Sequence, residues 1–535
     1  MTDYTSIFYF LTIILRIGLA AILFNALWQK LPRSKSEPPV VFHWFPFIGS
    51  AISYGTDPVK FYRQCRERHG DIFTFVLFGR HMTVYLGVQG NEFILNGKLQ
   101  DLNAEDIYRP LTRPVFGSDI IYDCPNSKLM EQKKFVKFGL TQKALESYVP
   151  LIEREVLDYF AATPALNHGH DGIVDIPSIM AEITIYTAGR SLQGSEVRKK
   201  LSGEFAALYH DLDLGFSPIN FVMPWAPLPQ NRRRDVAHER MRNVYMDIIK
   251  ERRKRSAGNN NNNDDDDDGE EEEEQEDEGQ EPDMLRHLMG CAYKDGRPVP
   301  DKEIAHMMIT MLMGGQHSSS SASAWVLLRL ASRPDIAEEL YRELLQQLGS
   351  DDQGTERSLR YSDLDKLPLL SQVIKETLRV HSSIHSIMRK ATRDIPVPDS
   401  DYVVSAGKVL VSSPIMTQLS EEHFQDAEVW DPHRWDNEDD RQVHDENSTK
   451  AGDMVDYGYG ATSKGTRSPY LPFGAGRHRC IGEKFAYLNL AVIIATMVRT
   501  FRFNTLDGKS WVPPTDYQSL FSRPTEPARV GWQRR

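Results

Sequence analysis

The feature that most narrows what this chain can fold into is a ten-residue loop near its end, Phe473-Gly474-Ala475-Gly476-Arg477-His478-Arg479-Cys480-Ile481-Gly482, which runs straight into the helix-forming residues 483–488. One cysteine sits there between glycines and among cations. A buried thiolate is stabilised by a metal, by nearby positive charge and by backbone N–H groups at a helix N-terminus. Gly474, Gly476 and Gly482 have no Cβ, so the backbone can turn tightly and pass close to a flat cofactor. Phe473 can then lie against that cofactor or beside the sulfur. Cys65, Cys124 and Cys291 are scattered without C-x-x-C spacing, which points to neither a disulfide framework nor a zinc cluster and fits a reducing compartment.

At the other end, residues 7–27 form an apolar run, at about 20 residues long enough to cross a bilayer. Arg16 sits near its centre, at a cost of roughly 2.5–3.5 kcal/mol on insertion scales, and Asn25 lies near its end. A single tilted span satisfies this, and so does a short interfacial helix leading into a span that starts near Ile17. No small-residue cleavage site comes after it, which argues against a removed signal peptide. Lys30, Arg33 and Lys35 come next, and positive flanks stay cytoplasmic, so the body is expected in the cytosol. Pro32, Pro38, Pro39 and Pro46 make the adjoining stretch a stiff connector. The expected division is an anchor helix over 1–28, a Pro-rich connector over 29–45 and a catalytic domain over 46–535.

Alternation in Ile72-Phe73-Thr74-Phe75-Val76 and in Met82-Thr83-Val84-Tyr85-Leu86, around Gly79-Arg80, predicts a β-hairpin. Residues 108–126 read as a loop rich in proline and aromatics, and residues 131 to about 160 as helix. Residues 256–283 are low complexity and too poor in apolar surface to order, an expected disordered acidic insertion, with a domain boundary as the alternative. The chain carries a net charge of −12; residues 264–283 hold fifteen acids and no base, and without them the remainder nets +3, so nucleic acid is not suggested as a partner. A long helix is expected from Asp301 to Ser332, interrupted by Gly314-Gly315. Each internal glycine costs about 1 kcal/mol relative to alanine, so the pair requires a packing or functional reason. Met311, Gly314, Gly315 and Ser318 share one face at helical spacing, putting a gap and a hydroxyl beside the same object. Arg333-Pro334-Asp335 opens a further helix, Glu376 and Arg379 lie three apart on the next, and strands return at Phe501-Arg502-Phe503.

The pattern Phe-x-x-Gly-x-His-x-Cys-x-Gly resembles the haem-binding loop of the cytochrome P450 superfamily, in which the cysteine thiolate ligates haem iron. The resemblance implies a mainly α fold with small β-sheets, the cytochrome P450 fold, here with an N-terminal membrane anchor, and Cys480 as the metal ligand of haem b. Glu376-x-x-Arg379 with Arg434 resembles the superfamily's Glu-Arg-Arg lock, although His433 stands where an acid is usual. His478, Arg389, Lys133, Tyr108 and Tyr122 are of the right types to meet the haem propionates, and Phe473, Gly474, Gly482 and Gly314 to border the ring. Ser318 could hold a relay water and His317 pass protons to bound dioxygen.

Tyr108-Arg109-Pro110-Leu111-Thr112-Arg113-Pro114-Val115-Phe116-Gly117, the stretch on to Asn126, Leu312-Met313-Gly314-Gly315-Gln316-His317 and His385-Ser386-Ile387-Met388-Arg389-Lys390 are similar to sterol 14α-demethylases, especially their fungal branch. That likeness implies an endoplasmic-reticulum, single-pass enzyme that removes the 14α-methyl of lanosterol or a 24-methylene relative as formic acid, in three oxygen-dependent rounds. The electrons would come from NADPH through NADPH–cytochrome P450 reductase, and azoles would be inhibitors. Carried over residue by residue, Tyr108, Leu111, Thr112, Phe116, Ile121, Tyr122 and Gly314 would line the sterol cavity, with Phe216, Pro218 and Phe221 at its lip and Ile384, Ser386, Ile387, Leu520 and Phe521 opposite. Asp213 would pair with His317. Ser318 replaces a frequent threonine and Ser383 a common proline. Arg477, Arg479, Lys484, Lys464 and Arg467 are either a basic face for an acidic reductase or a solvated charge set. A fatty-acid or alkane hydroxylase, a haem-thiolate isomerase and a non-catalytic haem-binding membrane protein are the competing readings.

Overall fold

The computed structural model describes residues 4–32, 34–200, 203–260, 283–349, 357–436, 454–459, 461–463, 465, 467–519 and 521–535. Arg33, residues 261–282, Lys464 and Leu520 lie outside the described residues, so of the expected disordered insertion only residues 256–260 and Asp283 are described. Two compact units emerge. The first comprises Met1–Ile107, Ile384–Ala427 and Lys464–His478, the second Tyr108–Ser383, Glu428–Ser463 and Arg479–Arg535.

In the first unit the expected hairpin forms from strands Ile72–Leu77 and Arg80–Tyr85, with Thr74 opposite Thr83 and their hydroxyls 2.9 Å apart. Phe78 (φ 49°) and Gly79 (φ 75°) are both left-handed, as a two-residue type I′ turn requires. The hairpin begins a five-stranded sheet that continues through Val409–Ser412, Ile387–Ala391 and Leu102–Asn103. The strand that carries Arg389 is therefore interior, with a neighbour on each side. Ahead of the sheet, Tyr4–Trp28 is one continuous helix. Its segment Phe8–Trp28 is apolar, almost wholly exposed, and long enough to cross a membrane by length and composition. A helix apolar on every side and exposed on every side requires a non-aqueous neighbour. Asn25 does not burden that span. Its Nδ2 donates to the carbonyls of His43 at 2.8 Å and Trp44 at 3.0 Å, so the polar side chain ties the last turn to the connector.

The second unit is mainly helical. Its long helix, Asp301–Ser332, starts with acids in its first turn and spans about 48 Å at 1.5 Å per residue. Helices Ile176–Gln193, Pro229–Asn260 and Glu483–Thr500 pack on it. A three-stranded sheet, in the order Phe501–Thr505, Arg529–Arg534, Asp171–Asp175, closes one part of the unit.

Several expectations are corrected. Residues 108–116 are not loop: Glu105–Phe116 is a helix with Pro110 and Pro114 inside it. The prolines are four apart, hence on one half-exposed face where the carbonyls they leave unbonded can reach water, while Leu111, Thr112, Val115 and Phe116 are buried on the other. The helical stretch from 131 to about 160 is two helices, Asn126–Val136 and Gln142–Ala162, separated by the turn Lys137–Leu140. Thr141 caps the second through Ala144 N, and the Tyr148 hydroxyl takes the Gly139 carbonyl that a continuous helix would have used. Residues 256–260, expected in the insertion, continue the helix Pro229–Asn260.

Charge is buried in the second unit at one place above all. Glu376 and Arg379 are completely inaccessible. The carboxylate accepts Arg379 Nη2 at 2.7 Å, Arg434 Nε at 3.0 Å, Trp435 Nε1 at 3.1 Å and Asp431 N at 3.0 Å. Both guanidinium groups also reach the Val429 carbonyl. His433 sits between Asp436 and Glu339: burial pulls its pKa down, but the two acids outweigh that and raise it.

Glu376→Gln keeps the shape and leaves Arg379 buried without its counter-ion, so it should cost about 3–5 kcal/mol, read as a lowered denaturant midpoint; an unchanged midpoint would mean that the arginine is neutralised elsewhere. A pH effect is expected from His306 and His385, which burial holds down to about 4. The native state keeps both neutral while the unfolded chain takes up protons near 6.5, so these two rings should make stability fall as pH drops from about 6.5 to about 4. A midpoint flat across that window would show the two rings already charged in the folded chain.

Candidate functional site

The unit boundary falls inside the cysteine loop, between His478 and Arg479, so each half is taken by itself. In the first unit, Gly474 (φ +68°) and Gly476 (φ +66°) hold left-handed conformations. A Cβ on Gly476 would lie 2.4 Å from the Leu95 carbonyl oxygen, so this glycine is required by close approach as well as by φ. Phe473 and His478 are half-buried. Arg389 is buried, with Nη1 donating to the Met388 carbonyl at 2.7 Å. Ile387 packs with Leu95, Leu471 and Ala475 beside the loop, and Ile384 is exposed. Ser386 is buried, and its hydroxyl is engaged by its neighbours. Its buried hydroxyl lies 3.1 Å from Tyr54 OH, 2.8 Å from Tyr62 OH and 2.8 Å from His385 Nδ1, which uses its single donor and both acceptor lone pairs. No capacity remains there for a ligand. Tyr54 and Tyr62 lie over three hundred residues away in sequence, and no local pattern announces them.

In the second unit, Gly482 is the N-cap of Glu483–Thr500, and its backbone N–H hydrogen-bonds the Cys480 sulfur. Lys133 reaches the loop itself, donating to the Arg479 carbonyl at 3.2 Å while its ammonium lies 4.7 Å from the Tyr459 ring centroid. Burial pushes the Cys480 thiol up and Glu483 adds to this, while the Gly482 N–H, Lys133 and Arg479 pull it down without prevailing. The chain's own cations therefore leave the thiol protonated, and coordination to a metal is what would ionise it. Cys480 nevertheless keeps surface accessible to a solvent-sized sphere. Arg479 is buried against Glu483 at 2.8 Å, so it adds nothing to a surface for a partner; Lys484 is exposed, and Arg467, in the first unit, is exposed and paired with Glu92.

The glycine pair divides its work. Gly315 packs on a neighbouring helix, a Cβ there meeting Leu192 and Ala188 at 3.8 and 4.0 Å. Gly314 is exposed in the middle of a buried helix, and a Cβ built on it would meet nothing within 4 Å. Ser318 Oγ donates to the Gly314 carbonyl at 3.0 Å, leaving its lone pairs to accept. His317 Nε2 lies 3.4 Å from Asp213 Oδ1, an electrostatic contact too poorly aligned to be a hydrogen bond. Burial lowers the His317 pKa, Asp213 partly restores it, and Arg523 and His210 oppose it. Arg523, 4.0 Å from Asp213, escaped the sequence reading because two hundred residues separate it from the helix it serves.

Aromatic rings gather beside that helix. Phe116 meets Phe216 at 5.6 Å, Phe216 meets Phe521 at 5.5 Å, and Phe521 stacks on His317 at 5.8 Å. Tyr108 and Tyr122 stack at 4.9 Å. Leu111, Phe116 and Phe221 are buried, Ile121 is half-buried against the same core, and Thr112 Oγ1 donates to the Tyr108 carbonyl. Pro218 begins the short helix Pro218–Val222. An exposed thiol, an open glycine on a long helix and an apolar aromatic wall, all in one unit, fit a flat iron cofactor with an apolar substrate.

Comparison with known proteins agrees. The family profile described as cytochrome P450 matches residues 38–532. The chain is 62% identical to the sterol 14-alpha demethylase CYP51A of Gibberella zeae, over 96% of each chain, and 60% identical to the sterol 14-alpha demethylase cyp51A of Aspergillus fumigatus, over 97% of this chain and 96% of that one. It is 57% identical to the eburicol 14-alpha-demethylase of Penicillium italicum, over 96% and 95%. The solved structure of a retinoic acid-bound cyanobacterial CYP120A1 superposes with a TM-score of 0.72 at 19% identity, covering 94% of this chain and all of that one, a likeness of fold.

Gly314→Ala should leave stability unchanged or raise it by up to about 1 kcal/mol, because alanine is the better helix former and meets no neighbour there. A lowered denaturant midpoint would show that protein fills the space.

Proposed function

We infer the activity from the premise that the chain belongs to the cytochrome P450 family and, within it, to the fungal sterol 14-alpha demethylases. It is a haem-thiolate monooxygenase that removes the 14α-methyl group of lanosterol-type sterols in three oxidations, a step of ergosterol biosynthesis, and it takes electrons from a redox partner. The observation that carries this reading on the molecule itself is the presence, in one unit, of an exposed Cys480 thiol and of a helix face left open at Gly314.

Cys480 is assigned as the iron ligand, with the Gly482 N–H and Lys133 partly offsetting the thiolate's charge. Haem bound in this way supplies activation of dioxygen. The rest falls to the chain. Gly314 leaves room on its helix, and Ser318, whose proton is held on the Gly314 carbonyl, presents lone pairs to a relay water. Asp213 raises the basicity that burial removes from His317, so His317 Nε2 can take a proton from the solvent side and release it inward. Phe116, Phe216 and Phe521 exclude water and offer an apolar wall to a sterol, with Tyr108 and Tyr122 stacked nearby. In the first unit, Phe473, Gly474, His478, Arg389, Ile384, Ser386 and Ile387 are assigned to haem and sterol by resemblance, Ser386 with its hydroxyl already engaged by Tyr54 and Tyr62. The helix Phe8–Trp28 anchors the chain to membrane. The finer assignments are a single pass of the endoplasmic reticulum, a monooxygenase domain over 46–535 facing the cytosol, and NADPH–cytochrome P450 reductase as redox partner.

Reconstitution with that reductase and NADPH on 24-methylenedihydrolanosterol, lanosterol and a long-chain alkane tests the reading. Demethylated sterol with stoichiometric formate is expected. Inert sterols in a preparation whose reduced carbon monoxide complex shows an intact thiolate band would overturn the sterol assignment and keep the haem one.

A further inference from the structure

The turn that follows the helix Glu105–Phe116 is gripped by two histidines from two other helices. His238, on Pro229–Asn260, has its Nδ1 3.0 Å from the Val115 carbonyl oxygen, and His306, on Asp301–Ser332, has its Nδ1 3.0 Å from that of Ser118. A carbonyl only accepts, so each ring carries a proton on Nδ1 and donates it. The two rings lie 5.3 Å apart, and between the two carbonyls stand Phe116 and Gly117. Gly117 is left-handed (φ +106°), and a Cβ on it would lie 2.4 Å from His306 Cγ, so the imidazole rests directly on the backbone of the turn. The last carbonyls of a helix have no partner inside it. Here that of Val115 is met by a side chain of a neighbouring helix.

Packing alone does not account for the two imidazoles. His306 is almost fully buried, and among the described residues its Nε2 has no partner, a cost that an apolar side chain of similar size would avoid. What the imidazole adds is the Nδ1 proton. Burial pulls down the pKa of both rings, that of His306 to about 4; Arg242 and Lys302 add to this, while the accepting carbonyls and, for His238, Asp235 oppose it. Both rings are therefore neutral near pH 7, each with the one proton that its carbonyl takes. The turn in turn carries the aromatic wall. Phe116 meets Phe216 ring to ring at 5.6 Å, and Val115 fills the space over Gly215, where a Cβ would lie 2.3 Å from Val115 Cγ2. Both sides of that ring contact thus take their register from residues 115–118.

We propose that His238 and His306 are positioning residues for the substrate: by holding the Val115 and Ser118 carbonyls they fix the Gly117 turn and, through it, set Phe116 against Phe216 as a preformed wall for the sterol. The proposal rests on the reading of that wall as the sterol's. Neither histidine touches substrate, so their loss weakens binding and spares the chemistry.

The full haem-loaded chain is compared in lipid nanodiscs as parent, His238→Leu, His306→Leu, His238→Asn and His306→Asn. Asparagine places its amide Nδ2 where the imidazole has Nδ1 and keeps the donor; leucine keeps the bulk and loses it. Each leucine variant should raise the Kd and KM for 24-methylenedihydrolanosterol about tenfold, the worth of one net hydrogen bond, with kcat within about twofold of the parent, and each asparagine variant should restore both. Independently of sterol, 4-fluorophenylalanine incorporated at position 116 should give one fluorine resonance in the parent and the asparagine variants and a shifted or second one in the leucine variants. Sterol affinity and fluorine signal unchanged in the leucine variants would overturn the proposal. So would a lowered denaturant midpoint shared by leucine and asparagine variants at unaltered sterol affinity, which is what a purely structural role predicts. A parent that binds no sterol while its reduced carbon monoxide band is intact would instead sink the reading of the wall, and the fluorine signal would still decide whether the two histidines position Phe116.

Discussion

A thiol enclosed by protein stays protonated unless something positive draws its electrons, and much of the second unit is arranged around that fact. Burial and Glu483 push the Cys480 thiol up; the Gly482 N–H, Lys133 and Arg479 draw it down, and burial prevails. The Gly482 N–H, Lys133 and Arg479 therefore temper the charge of a thiolate there rather than create it. Lys133 serves three ends at once. One ammonium holds the Arg479 carbonyl, rests on the Tyr459 ring and lowers the thiol's pKa. Arg479, in turn, is neutralised by Glu483 on the first turn of the next helix, so loop and helix start are joined by charge as well as by sequence.

Elsewhere in the same unit, fully desolvated charge is made tolerable by saturation. Glu376 takes donors from two arginines, an indole and a backbone N–H, which leaves no lone pair facing hydrocarbon. Such a cluster resists rearrangement, because any partner withdrawn leaves a bare charge inside. Flexibility of composition is instead reserved for places where nothing is packed, and Gly314 is one. Its neighbour Gly315 shows that two adjacent glycines can be placed differently, one against a helix that passes close by and one facing open space.

The competing readings lose ground. A non-catalytic haem carrier is disfavoured because the curated relatives over nearly the whole length are demethylases. The identity of 62% to a sterol 14-alpha demethylase over nearly the whole length leaves the fatty-acid and alkane alternatives without support. The anchor, too, is more than a leash, since Asn25 and Gln29 fasten it to the connector.

The sequence by itself determined the features that depend on spacing of a few residues. The hairpin at Gly79, the helix from Asp301 to Ser332, the glycine-bracketed Cys480 and the helix behind it were all legible, because turn chemistry and the 3.6-residue period act locally. It misled where tertiary packing outweighed local propensity. Residues 108–116 fold as helix despite two prolines, since burial of Leu111, Val115 and Phe116 outweighs two lost backbone bonds. Only the tertiary structure decided which of two glycines faces open space, that Ser386 is taken up by Tyr54 and Tyr62, and that Arg523 stands near Asp213. Those outcomes join residues hundreds of positions apart, and a contact of that kind leaves no periodic trace in either segment.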